Sequence, residues 1–170
     1  MSTAVLSIGS NVGDSVAHLQ SVVDAGGERV RALSPIYRTA PWGGVQQDPF
    51  YNAIVIADDD GYRAADWLSF AAKCEQAAER TRTVRWGPRT LDVDVVAVYD
   101  GQQMLRQDNP ELTLPHPRAH QRRFVLEPWL SVQPDAQLPM GSVRSLVQLV
   151  DDQQLTRLDD VHLHSAVSGG

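Results

Sequence analysis

The sequence predicts an α+β fold of the ferredoxin-like type, a βαββαβ sandwich extended by a hairpin and by C-terminal helices. Three observations predict it. Short apolar runs bounded by Gly, Pro, Asn and Asp recur along the first hundred residues. Two segments of helical period separate them, and an Asp-Gly turn follows the last run.

Ala4–Ile8 is a continuous apolar run stopped by Gly9, Ser10 and Asn11, as expected of a buried first strand ending in a turn. Asp14 is placed to cap a helix in which Val16, Leu19, Val22 and Val23 recur at helical spacing, and Gly26-Gly27 ends it. Ser34–Thr39 reads as the second strand, closed by Pro41, and Trp42–Pro49 as a loop. Tyr51–Ala57 is the third strand and runs into the acidic turn Asp58–Gly61. A long Ala-rich helix is expected from Arg63 to Glu79, then a Gly/Pro-containing loop over Thr81–Arg89. Thr90–Val98 is the fourth strand, with Gln102–Leu105 pairing back across Asp100-Gly101. Helical segments are expected around Ala119–Leu130 and Val143–Gln153. The sheet is expected to be antiparallel or mixed, with helices on one face. Residues 1–160 read as a single domain and 161–170, ending SAVSGG, as a flexible tail.

A chain of 170 residues suits one domain with a real core. The net charge of −6 disfavours electrostatic binding of nucleic acid, although local basic clusters remain able to take a small anion. Cys74 is the only cysteine, which excludes an intrachain disulfide and fits a reducing compartment. No apolar run approaches a membrane span, and MSTAVLSIGS lacks a basic n-region, so a cytoplasmic location is expected, with monomer as the default.

Four features carry possible chemistry. Asp92 and Asp94 interrupt an apolar strand, and their spacing puts both carboxylates on one face. A divalent cation would relieve their repulsion, and Mg²⁺ takes one or two carboxylates plus water and substrate phosphates. An acidic, solvated edge strand is the plainer reading. Arg80, Arg82, Arg85 and Arg89 crowd into ten residues, and arginine matches phosphate oxygens bidentately. A solvated basic loop would look the same taken alone. His116 lies between Pro115 and Pro117 and is followed by Arg118, Arg122 and Arg123, a second potential anion patch. Phe50 and Phe124 are able to hold a flat ring, and Asn52, on the same strand face as Phe50, to read an amide-like edge. Neither a G-x-x-x-x-G-K-[ST] nor a G-x-G-x-x-G loop occurs, so any ATP site lacks a Walker-type cradle.

IGSN (Ile8–Asn11), YRTAPWG (Tyr37–Gly43), QQDPFYNA (Gln46–Ala53), RWGPRTLDVDVV (Arg85–Val96) and LTLPHPRAHQRRF (Leu112–Phe124) together resemble the 6-hydroxymethyl-7,8-dihydropterin pyrophosphokinase family. The matching segments run in the family's order from about residue 4 to 130. The resemblance implies transfer of pyrophosphate from ATP to the hydroxymethyl oxygen of the pterin, with AMP leaving, in folate biosynthesis. It implies two Mg²⁺ ions on Asp92 and Asp94. Arg80, Arg82, Arg89, His116 and Arg122 fall where the family contacts the ATP phosphates, with Glu75 and Thr113 near the nucleotide. Thr39, Ala40, Pro41, Trp42, Phe50, Asn52 and Phe124 fall on the pterin pocket. The loops Trp42–Pro49 and Thr81–Arg89 resemble the family's substrate-covering loops. Arg80, Arg82, Arg89 and Asp94 are the residues implied in catalysis, Asp94 or a metal-bound water being the candidate acceptor of the hydroxyl proton. Glu79, Ala40 and Pro117 depart from residues common in the family, and the loop between Arg82 and Trp86 is one residue shorter than in some members. Two rival readings stand beside this one: another metal-dependent phosphoryl- or nucleotidyltransferase, and a non-catalytic module that senses a small molecule.

Overall fold

A computed structural model describes residues 1–11, 13–39, 49–79 and 90–165. No helix among them is long and apolar enough to cross a membrane. Strand β1 (Ser2–Ser10) lies between β4 (Phe50–Asp59) and β5 (Asp92–Asp100), antiparallel to both. Its run Ala4–Ile8 is buried without interruption, because both faces of the sheet are covered. Helix α1 (Ser15–Gly26) starts where Asp14 accepts a hydrogen bond from the Ala17 N–H at 3.1 Å. Helix α2 (Ala64–Glu79) buries Trp67, Ala71, Cys74 and Ala78. Both helices pack on one face with Ala4, Leu6, Ile8, Val93 and Val95.

The second strand differs from its sequence reading. Over Ser34–Thr39 only β3 (Tyr37–Thr39) is a strand, and β2 (Val30–Leu33) precedes it, each pairing a different half of β4. Pro35 lacks an N–H and breaks the ladder. Ser34 repairs the break: its N–H donates to the Ile54 carbonyl at 2.9 Å, and its Oγ accepts from the Ile54 N–H at 2.8 Å.

Beyond β5 the chain turns at Gly101, whose φ of 62° suits glycine, into β6 (Gln103–Met104). A small hairpin follows, β7 (Gln107–Asp108) with β8 (Thr113–Leu114). Helix α3 (Arg123–Val132) is followed by a second small hairpin, β9 (Gln137–Leu138) with β10 (Gly141–Ser142), and then by α4 (Val143–Gln148). Helices α3 and α4 cover the opposite face of the sheet, packing Val125, Leu126, Trp129, Val143 and Leu146 on Val5, Ile54, Ile56 and Val96. The expectation of helices on one face therefore holds for α1 and α2 alone. Strand β11 (Leu155–Arg157) adds to the far edge beside β3, so the described residues form a seven-stranded sheet in the order β11-β3-β4-β1-β5-β6, with β2 also on β4. Of the segment 161–170, Leu163 is buried against the α1 face, and His164 exchanges two backbone hydrogen bonds with the Gln20 side chain at 2.8 and 3.0 Å. Residues 166–170 lie outside the described residues.

Candidate active site

Residues of β1, β4 and β5 alternate between the two faces, so Ser7, Gly9, Phe50, Asn52, Asp92 and Asp94 share the face that α3 and α4 cover further down. On that face lies a cleft of about 470 Å³ lined by Ser7, Gly9, Thr39, Phe50, Asn52, Asp92, Asp94, Arg122 and Phe124. The strand register fixes most of this arrangement: Gly9 pairs with Asn52 on one side and Asp92 on the other, and Ser7 pairs with Asp94.

Asp92 and Asp94 flank Val93, whose own side chain enters the core on the other face. The Val93 N–H donates to the Glu75 carboxylate at 2.9 Å, which satisfies the β5 edge between the two aspartates. Glu75 thus reaches β5 from α2. Further along β5, the register with β1 shifts between Val5 and Leu6, leaving Val96 as a bulge. Its carbonyl accepts the His116 N–H at 2.8 Å, which docks the segment around His116 near Asp94. The His116 Nδ1 accepts the Arg118 N–H at 3.2 Å and therefore carries no proton. Burial lowers the His116 pKa below its ordinary 6.5, the nearby Asp94 charge opposing that shift.

Arg122 links the acidic and aromatic sides of the cleft. Its guanidinium is 3.8 Å from the Asp94 carboxylate and lies over the Phe124 ring, 5.6 Å from the centroid. Asn52 is 4% exposed, and its Nδ2 has no hydrogen-bond partner among the described residues, an arrangement that costs stability unless a further group completes it. Gly9 makes room for that amide, since a Cβ there would sit 2.8 Å from Asn52 Oδ1. Gly9→Ala is accordingly expected to displace Asn52 and raise KM for a ligand held by that amide by about tenfold, the equivalent of one lost neutral hydrogen bond. Steady-state titration of the ligand checks this.

Thr39, Phe50, Asn52, Asp92, Asp94, Arg122 and Phe124 are thus brought together in one cleft. Thr113 stands apart on β8, with its hydroxyl 3.4 Å from both Asp108 Oδ1 and the Asn109 carbonyl. Arg80, Arg82, Arg89, Ala40, Pro41 and Trp42 lie outside the described residues, as do most of the two glycine-containing loops. Ser7 and Gly9 were missed as lining residues. Their signal was available: a serine inside an apolar run, two residues from a glycine of the same strand parity.

Fold and cleft together define a class: an antiparallel α+β sandwich whose sheet end brings together two carboxylates, an arginine, two phenylalanines and an amide unsatisfied among the described residues. Such a site suits an anionic group and a flat, hydrogen-bonding heterocycle side by side. Residues 5–134 match the family model described as 7,8-dihydro-6-hydroxymethylpterin-pyrophosphokinase (HPPK). The chain is 46% identical over 170 residues to the 2-amino-4-hydroxy-6-hydroxymethyldihydropteridine pyrophosphokinase of Mycobacterium tuberculosis H37Rv, covering 96% of this chain and 90% of that one. It is 37% identical over 163 residues to the protein of the same name from Methylorubrum extorquens, covering 94% of this chain and 100% of that one. The chain belongs to the HPPK family. Its fold is also that of a Plasmodium falciparum HPPK-DHPS crystal structure with SDX-DHP, at a TM-score of 0.65 and 13% identity, over 87% of this chain and 44% of that longer one.

Proposed function

We propose that the chain transfers the pyrophosphoryl group of ATP to the hydroxymethyl oxygen of 6-hydroxymethyl-7,8-dihydropterin, releasing AMP, as a step of folate biosynthesis. One observation carries the reading beyond family membership: the Asn52 amide, unpartnered among the described residues, is buried in the same cleft as Asp92 and Asp94. A heterocycle bearing amide-like edges would satisfy the first, and a metal-bound polyphosphate would neutralise the second.

In this reading Phe50 and Phe124 hold the pterin ring and Asn52 donates to its polar edge, with Thr39 at the rim. Ala40, Pro41 and Trp42 are proposed to complete that pocket. Arg122 turns from Asp94 to the phosphates, and Arg80, Arg82 and Arg89 are proposed to join it. His116 is proposed as a neutral donor through Nε2, because Nδ1 already accepts a hydrogen bond. Glu75 and Thr113 are proposed on the nucleotide side, Glu75 also fixing the strand between Asp92 and Asp94. Asp92 and Asp94 suit Mg²⁺: among the described residues no third histidine, cysteine or carboxylate joins them, and two carboxylates completed by substrate phosphates and water are a common Mg²⁺ environment. Two such ions would neutralise charge on the phosphate oxygens.

The hydroxymethyl oxygen attacks the β-phosphorus in line, a P–O bond forms, and the bond from the β-phosphorus to the oxygen retained by AMP breaks. The hydroxyl proton passes to Asp94 or to water. Positioning and electrostatics supply the catalysis. The same reading has one catalytic domain over residues 1–160, working as a monomer in the cytoplasm. Product analysis tests the reaction class: AMP and a pterin carrying two phosphorus atoms are expected, whereas ADP and a monophosphate would replace it with ordinary kinase chemistry.

A further inference from the structure

Helix α3 begins without a side-chain cap of its own, because its N-cap residue is Arg122, held in an extended conformation at φ −118° and ψ 108°. The missing cap arrives from thirty residues further along the chain. Gln153 Oε1 accepts the Arg123 N–H at 2.9 Å, and Gln153 Nε2 donates to the Gln121 carbonyl at 2.9 Å. One carboxamide therefore brackets the backbone on both sides of Arg122, as a neighbouring strand would. Gln153 is itself fixed: its N–H donates to the Val150 carbonyl at 3.1 Å, and its own carbonyl accepts from the Arg123 guanidinium at 2.6 Å. That guanidinium also reaches the Asp151 carbonyl at 3.3 Å. Residues 151–153 lie beyond the segment matched by the family model.

We propose that Gln153 is a positioning residue of this site, holding the Arg122 backbone extended so that its guanidinium faces Asp94 and Phe124 across the cleft. The proposal rests on the phosphate-binding role given to Arg122 above. Extended backbone at Arg122 is what separates the 3₁₀ turn Ala119–Gln121 from α3. Without the bracket, the two turns are free to merge or fray, and the Arg122 side chain swings off the cleft face. Misplacing a charged group by about 1 Å at a phosphoryl-transfer site costs up to about 100-fold in rate.

Gln153→Met keeps the length of the side chain and removes both hydrogen bonds. Gln153→Glu keeps the acceptor for Arg123 and removes the donor to Gln121, and serves if the first variant does not fold. With full-length protein, kcat/KM for ATP is expected to fall about tenfold in Gln153→Met and less in Gln153→Glu, with a small change in Tm. In an Arg122→Ala background, where a loss of about 100-fold is expected, either Gln153 substitution should change kcat/KM by less than about twofold. Non-additivity of that kind separates positioning through Arg122 from a general structural effect, which would multiply. Wild-type rates in both variants, or losses that multiply in the double variants, overturn the proposal. Absence of pterin-dependent AMP release from the wild-type protein would instead remove the functional reading on which it rests.

Discussion

Replacing Asp94 with alanine is expected to lower kcat by at least about 10³-fold while leaving the fold intact, and Asp92→Ala is expected to behave alike. The Cα atoms of the two aspartates are spaced about 7 Å apart along one face of β5, a separation set by the pleat. Three features hold them there: the β1 ladder, with Gly9 opposite Asp92 and Ser7 opposite Asp94; the Glu75 contact to Val93; and the apolar side chains of Val93 and Val95 in the core. None of these depends on the aspartate side chains. The Asp94 side chain is 44% exposed, and its ion pair with Arg122 is 3.8 Å long, so its removal costs at most about 1 kcal/mol of stability. Turnover with saturating Mg²⁺ and ATP, read beside a thermal melt, checks both halves. Near-normal turnover in either variant would reduce the pair to an acidic strand face.

Asn52→Leu is expected to move function and stability in opposite directions. Leucine matches asparagine in shape and removes a buried amide that is unsatisfied among the described residues, so Tm should hold or rise. A site built to hydrogen-bond its ligand discriminates strongly when that bond is lost, and kcat/KM for the pterin should fall by about 100-fold or more. A stability rise paired with a catalytic loss is the signature of a group kept for a ligand. A lower Tm with unchanged kcat/KM would make Asn52 a structural residue.

Most of what positions these groups was legible in the sequence because it is local. Period and punctuation predicted β1, α1, β4, α2 and β5 in order, the Asp14 cap, and the turn at Gly101. Alternation predicted that Asp92 and Asp94 share a face, and that Phe50 and Asn52 share one. What sequence reasoning missed depends on contacts between distant segments. Ser34 stands in for a strand residue across from Ile54, which no periodicity encodes. Val96 bulges and offers its carbonyl to His116, an event of tertiary docking. The uninterrupted burial of Ala4–Ile8 already required two covered faces, yet the amphipathic segments after residue 119 gave no sign of which face they would cover. Gln153 reads as a polar residue in a polar turn until its carboxamide is seen bracketing Arg122.

The central claim joins a pterin and a pyrophosphoryl transfer in one cleft, and a single assay addresses it. Purified protein is mixed with Mg-ATP, with and without 6-hydroxymethyl-7,8-dihydropterin, and AMP is measured over time. AMP formation that requires the pterin and matches its consumption one for one is the predicted result. AMP that forms equally without the pterin, or none with it, would contradict the account.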